Sequence, residues 1–171
     1  MKKILLLTGF VLLMVLAACG SSEEDEVLEY HNKMVDEINP KIDEIEMMYD
    51  EISTAAMEDE AKAIEIFENG LIPLVEEMKE YFESQKVKSD VAKEYHQMRL
   101  DLTNKLYEVV QKEHEFLTVL IDPAATEEEI LEIETQVDDL NAEAFELDEA
   151  AAEHWDSLVE EYGFEEEEIN E

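Results

Sequence analysis

The side chains here best suited to hold a metal or carry a proton near neutral pH are four histidines, His31, His96, His114 and His154. Only His31 and His154 fall on apolar stripes of helical spacing. Counting along two antiparallel stripes pairs position 28 with 158, 35 with 151, 42 with 144, 49 with 137 and 56 with 130, which puts the two histidines in one layer. Two readings are open for that layer, with Tyr81 and Tyr95 expected at the same end. Neutral imidazoles can satisfy each other or a tyrosine hydroxyl and fix the register of a repetitive bundle. Alternatively, His31 and His154 can bind a transition metal, completed by Glu153 or by water.

Other chemistry is poorly represented. No histidine has glutamate three residues before it, so the Glu-x-x-His pairs of carboxylate-rich metal bundles are missing. The carboxylate runs Glu127-Glu128-Glu129, Asp138-Asp139 and Glu165 to Glu168 read as solvated faces, because tight calcium sites need oxygens converging from a loop. Met34, Met47, Met48, Met57, Met78 and Met98 are not grouped for soft-metal capture and read as core or core-edge filling. Calcium-loop, glycine-rich phosphate-loop and Gly-x-Ser-x-Gly patterns are absent from the sequence. No enzyme activity and no cofactor are expected.

The elements that must position these residues are helical. The first stripe runs Leu28, His31, Val35, Ile38, Ile42, Ile45, Tyr49, Ile52 and Ala56. It keeps its phase across Asn39-Pro40, which predicts one kinked helix in preference to two. Ser53 to Asp59 is the expected first turn. The second stripe is Ile64, Phe67, Leu71, Leu74, Met78 and Tyr81, interrupted by Asn69-Gly70 and Pro73, so a bend is expected there. Lys86 to Asp90 reads as a polar turn with Ser89 or Asp90 as cap.

The third stripe, Val91, Tyr95, Met98, Leu102, Leu106, Val109, Phe116 and Leu120, stops at Asp122-Pro123. Thr126 to Glu129 forms a capping box. It opens the most regular stripe, Ile130, Ile133, Val137, Leu140, Ala144, Leu147, Ala151, His154 and Leu158, closed by Gly163. Together these patterns predict an all-α, up-down-up-down four-helix bundle of long amphipathic helices. Three longer helices are the alternative, if the turn at 86–90 is itself helical.

The N-terminal stretch sets the expected address. Lys2-Lys3 precede an almost unbroken apolar run from Ile4 to Ala18, 15 residues and too short for a comfortable membrane span. Leu16-Ala17-Ala18-Cys19 then resembles the lipobox of bacterial lipoproteins, with the only cysteine at the position such proteins lipidate and cut before. The resemblance implies a signal peptide at 1–18 and an anchor on Cys19, placing the chain on the outer face of the cytoplasmic membrane. An acidic tether at 19–26, a bundle at 27–163 and an acidic tail at 164–171, with Phe164 frayed, complete the expected organisation.

Charge restricts the partners. There are 12 basic and 48 acidic residues, and loss of Lys2 and Lys3 would leave 10 against 48, a net of -38. Nucleic acid is excluded, since its binding rests on cationic neutralisation of phosphates. Anionic lipid headgroups and wall polymers are repelled unless divalent cations bridge them.

Pro40, Ile42, Ile45-Glu46, Tyr49-Asp50-Glu51-Ile52, the long third helix and Thr126-Glu127-Glu128-Glu129-Ile130 resemble the cell-wall-binding lipoproteins of low-GC Gram-positive bacteria. The likeness implies a non-enzymatic envelope protein that binds or spaces a wall or protein partner. It departs from that family's lysine-rich, mixed charge. The rival reading is a metal or small-molecule carrier with its site around His31 and His154.

Overall fold

The computed structural model describes residues 22–165, so Cys19 and the apolar run before it lie outside the described residues. Helix α1 (Glu23–Glu58) opens on a capping box: the Asp25 amide donates to Ser22 Oγ and the Ser22 amide to the Asp25 carboxylate, both at 3.1 Å. Glu23, Glu24, Asp25 and Glu26 form its first turn, where carboxylates favour the positive end of the helix dipole. The stretch expected as tether at 19–26 is therefore helical from Glu23 onward. Pro40 sits within α1, which continues as one helix.

The first turn contracts to a single residue. Thr54 stays helical, its hydroxyl donating to the Asp50 carbonyl, and only extended Asp59 breaks the chain before capping α2 (Glu60–Ile66) through the Lys62 amide. A π-helical turn (Phe67–Leu71) joins α2 to α3 (Ile72–Ser84) without a break in helicity. Pro73 has no N–H to donate and its ring crowds the carbonyl four residues back. Widening the helix around Asn69-Gly70 removes that conflict. Gly70 also lets α1 approach, because a Cβ there would lie 3.2 Å from Met48 Cε.

Residues 85–89 are not helical, so the second and third rods are separate and the three-helix alternative fails. The Glu26 carboxylate accepts the Lys88 and Ser89 amides at 2.7 and 2.9 Å, tying this turn to α1. Those two backbone donors hold its carboxyl below the usual range.

Ser89 caps α4 (Asp90–Leu120), whose core stripe ends on Leu117 and not on the expected Phe116 and Leu120. Leu117 packs with Phe67 and Leu71, whereas Leu120 is 49% exposed. Thr126 and Glu129 form the expected capping box on α5 (Glu127–Tyr162), and Gly163 ends it with φ 73°. Phe164 is not frayed. It is buried and stacks on Trp155 with ring centroids 5.8 Å apart.

Nothing lies within 4 Å of a Cβ built on Gly163, so a substitution there tests backbone conformation alone. Gly163→Ala is expected to cost about 1–2 kcal/mol in denaturant unfolding, the usual penalty for an L-residue in the left-handed region.

The four rods form an all-helical bundle, with no strand among the described residues. Hydrogen bonds from Tyr30 to His96, His31 to Tyr95 and Tyr49 to Glu113 span 66, 64 and 64 residues, so α1 and α4 run parallel in register. α3 and α5 each pack on α4. The expected side-by-side packing of α1 and α5 does not extend along their length. They meet at one end, and the middle of the bundle is open between them. Two core clusters follow: one near Ser22 includes Trp155 and Leu158, and one at the far end contains no residue of α5.

A candidate binding cleft between the first and last helices

The layer expected to hold two histidines is built around an indole. His31 is buried, and its ring stacks on Trp155 with centroids 3.5 Å apart and planes 3° from parallel. Trp155, one position from the expected His154, is thus the partner of His31. His154 lies one position round the helix, its ring 6.1 Å from Tyr95, with Nε2 buried and without a hydrogen-bond partner among the described residues. The larger apolar surface of the indole accounts for its place in the interior.

His31 is neutral by construction. The Tyr95 hydroxyl accepts the Arg99 Nε–H at 3.2 Å and is hydrogen-bonded to His31 Nδ1 at 2.9 Å. Burial, with the Arg99 charge second, pushes the imidazole down to about 4. His96 is likewise lowered by burial and bonds the Tyr30 hydroxyl at 3.0 Å. Tyr81 reaches the same end, packed against this cluster.

Among the described residues no three His, Cys, Asp or Glu side chains converge to hold a metal, so His31, His154 and Glu153 do not form a three-residue site. The same holds for the carboxylate runs within the described residues. Of the two readings of the layer, the one with an imidazole bonded to a tyrosine hydroxyl matches this geometry.

Where α1 and α5 part, a cleft of about 630 Å³ opens. Its floor is the face of α4 carrying Leu102, Leu106 and Val109, and α1 supplies Val35, Ile38, Ile42 and Ile45. On the α5 side Ala144 is buried while Phe145 is 62% exposed, and Ile42 opposite is 42% exposed. The α5 stripe positions Ile130, Ile133, Val137 and Leu140 are only half-buried, as expected where one neighbouring helix is absent.

Each end of the floor carries a polar group. At one end is Arg99, 19% exposed, with its Nη1 3.6 Å from Asp148. At the other, Glu113 accepts the Tyr49 hydroxyl at 2.6 Å and is hydrogen-bonded by Asn141. Burial raises the Glu113 carboxyl, outweighing those two hydrogen bonds.

Sequence reasoning placed Val35, Ile42, Ala144 and their neighbours on core stripes without signalling that the stripes would fail to meet. It also passed over Arg99, the only arginine in the chain, whose position four residues after Tyr95 and next to Met98 of the third stripe was the available signal. The chain matches no protein-family model, no curated protein and no solved structure.

Proposed function

We propose that this chain is a non-enzymatic, lipid-anchored protein of the cell envelope that binds an apolar ligand in the cleft between α1 and α5. The observation that carries the binding reading is the cleft itself. A four-helix bundle ordinarily closes the gap between its first and last helices, and here apolar walls remain exposed across about 630 Å³, within the range of small-molecule pockets. Its walls carry Arg99 and Glu113 toward opposite ends, and the side chains between them are mostly apolar, with Asn39 and Thr103 among them. Leu-Ala-Ala-Cys at 16–19 supports the anchor, and the short stretch from Cys19 to Glu23 would hold the bundle end carrying Trp155 near the bilayer. The carrier reading is thus kept, with the site moved from the histidine layer to the cleft. Wall association bridged by divalent cations is a separate reading that rests on the acidic charge of the chain.

Two measurements test this. A neutral fluorescent apolar dye, Nile red, is expected to saturate at one site per chain, and Ile42→Glu with Phe145→Glu should weaken it at least tenfold while leaving the far-ultraviolet dichroism intact, since both side chains are substantially exposed. Dye that fails to saturate, or is indifferent to the double substitution, would contradict cleft binding. For the anchor, Cys19→Ser should release the protein from the membrane fraction or leave an uncleaved precursor. Attachment by two acyl chains is stable at about 0.8 kcal/mol per buried methylene, whereas one chain is marginal. A fully processed, membrane-bound Cys19→Ser protein would sink the anchor.

A further inference from the structure

We infer that the cleft takes an acyl-tailed amphiphile with an anionic head, its head on Arg99 and its tail along the floor of α4; this rests on the cleft being a binding site. Shape decides the class of occupant. Arg99 and Glu113 are fourteen residues apart on α4, about 21 Å at 1.5 Å per residue, and His31 and Tyr49 on α1 are about 27 Å apart. Dividing the 630 Å³ by those lengths and widening the result by the roughly 1.4 Å radius of a water molecule, which that volume leaves out, gives a mean cross-section of about 50–65 Å². A methylene chain, about 4–5 Å wide by carbon contact distances, needs roughly 15–20 Å². An α-helix about 10–12 Å across needs roughly 80 Å² or more. An acyl chain fits the cleft, whereas a peptide helix is too wide for it.

Charge decides the head. In a chain with 48 acidic residues, the one guanidinium lies at the end of an apolar cleft. Of its five N–H donors, Nε–H is given to Tyr95. The others face Asp148 alone among the described acceptors, and Nη1 stands 3.6 Å from that carboxylate, outside hydrogen-bond reach. Asp148 is 62% exposed and so can turn into water at small cost. A carboxylate or phosphate can then take two parallel N–H bonds from the planar fork, the strong charge-assisted arrangement. The tail runs over Leu102, Leu106 and Val109 beneath Ile38 and Ile42. Thr103, whose hydroxyl proton is already given to the Arg99 carbonyl at 2.8 Å, adds no free donor to that path.

The test titrates the full-length protein in about 0.15 M salt, where the Debye length is about 8 Å and long-range repulsion from the acidic surface is screened. Four probes share a sixteen-carbon tail: hexadecanoate, lysophosphatidylglycerol, hexadecanol and hexadecylamine. Binding is read by calorimetry and by the fluorescence of Trp155, which stacks on the cleft residue His31. The anionic probes should bind one per chain, at least tenfold more tightly than hexadecanol, and Arg99→Gln should erase that difference while Arg99→Lys keeps part of it. Preference between hexadecanoate and the lysolipid tells a free fatty acid from a membrane-derived ligand. Equal affinity for hexadecanol and the anions, tighter binding of hexadecylamine at one per chain, or an unchanged Arg99→Gln variant would overturn the anionic assignment and leave the cleft reading standing. If no probe binds and Nile red also fails, the cleft reading falls too. Displacement of bound dye by an amphipathic cationic peptide but by none of the four probes would transfer the site to a protein partner and refute the acyl ligand.

Discussion

Trp155→Ala is expected to cost about 3–5 kcal/mol of unfolding free energy, the range for deleting a large buried aromatic. The indole stacks on His31, lies 5.4 Å from the Tyr95 ring and carries Phe164 on a third contact at 5.8 Å. It also holds the one end at which α5 meets α1. In a domain of this size each kcal/mol moves the melting temperature by about 2–4 °C, so a loss of about 6–20 °C is expected by circular dichroism at 222 nm. The damage should be uneven. The far cluster of Ile52, Phe67, Leu71, Val75, Val110 and Leu117 contains no α5 residue. Amide exchange should therefore quicken along α5 well before it does in α1 and α4 around that cluster. A loss below about 1 kcal/mol, or uniform exchange through all four rods, would remove Trp155 as the clasp.

The second large effect is on acid stability. An unfolded histidine titrates near 6.5, whereas His31 in the fold is held neutral down to about 4. Its folded value is depressed, so between those limits the unfolded chain binds more protons and stability falls as the pH is lowered. The contribution is complete above about pH 6.5 and is lost progressively toward pH 4, amounting to on the order of 2–3 kcal/mol. His96, also lowered by burial, acts in the same direction, while Glu113, raised by burial, acts in the opposite one. Comparison with His31→Phe isolates the effect, since that variant keeps an aromatic ring against Trp155. Wild type minus variant stability should decline from pH 6.5 to pH 4 and be flat above pH 7. A flat difference throughout would show that His31 does not titrate as a buried neutral group.

The local signals in the sequence carried far. Thr126 and Glu129, Ser89 and Gly163 each bring their own hydrogen-bonding or conformational chemistry, and each stands where that chemistry predicts a helix end. Pairing by register put His31 in a layer with His154, one position from Trp155, which is its actual partner. What it missed was rotation: His154 and Trp155 differ by 100° around the helix, and only the relative burial of an imidazole and an indole decides which enters the interior. Pro73 and Asn69-Gly70 announced a disturbance, but periodicity did not say that it would be a widened π-helical turn in a continuous rod in place of a break. The cleft was the least legible feature. Ile42 and Ala144 satisfy the helical period as fully as Ile38 and Ala151 do, because periodicity states which face is apolar and not whether a neighbour covers it. Arg99 gave no motif, since its role comes from being the single guanidinium beside that uncovered face.

The most direct test is methyl-selective nuclear magnetic resonance on the isoleucine, leucine and valine groups while hexadecanoate is added. Shifts that saturate at one equivalent and concentrate on Val35, Ile38, Ile42, Ile45, Leu102, Leu106 and Val109, with Ile52, Ile64 and Leu117 of the far cluster unmoved, are the expected result. Shifts centred on the far cluster or spread evenly over the bundle, or none at saturating ligand, would contradict a ligand lying between α1 and α5.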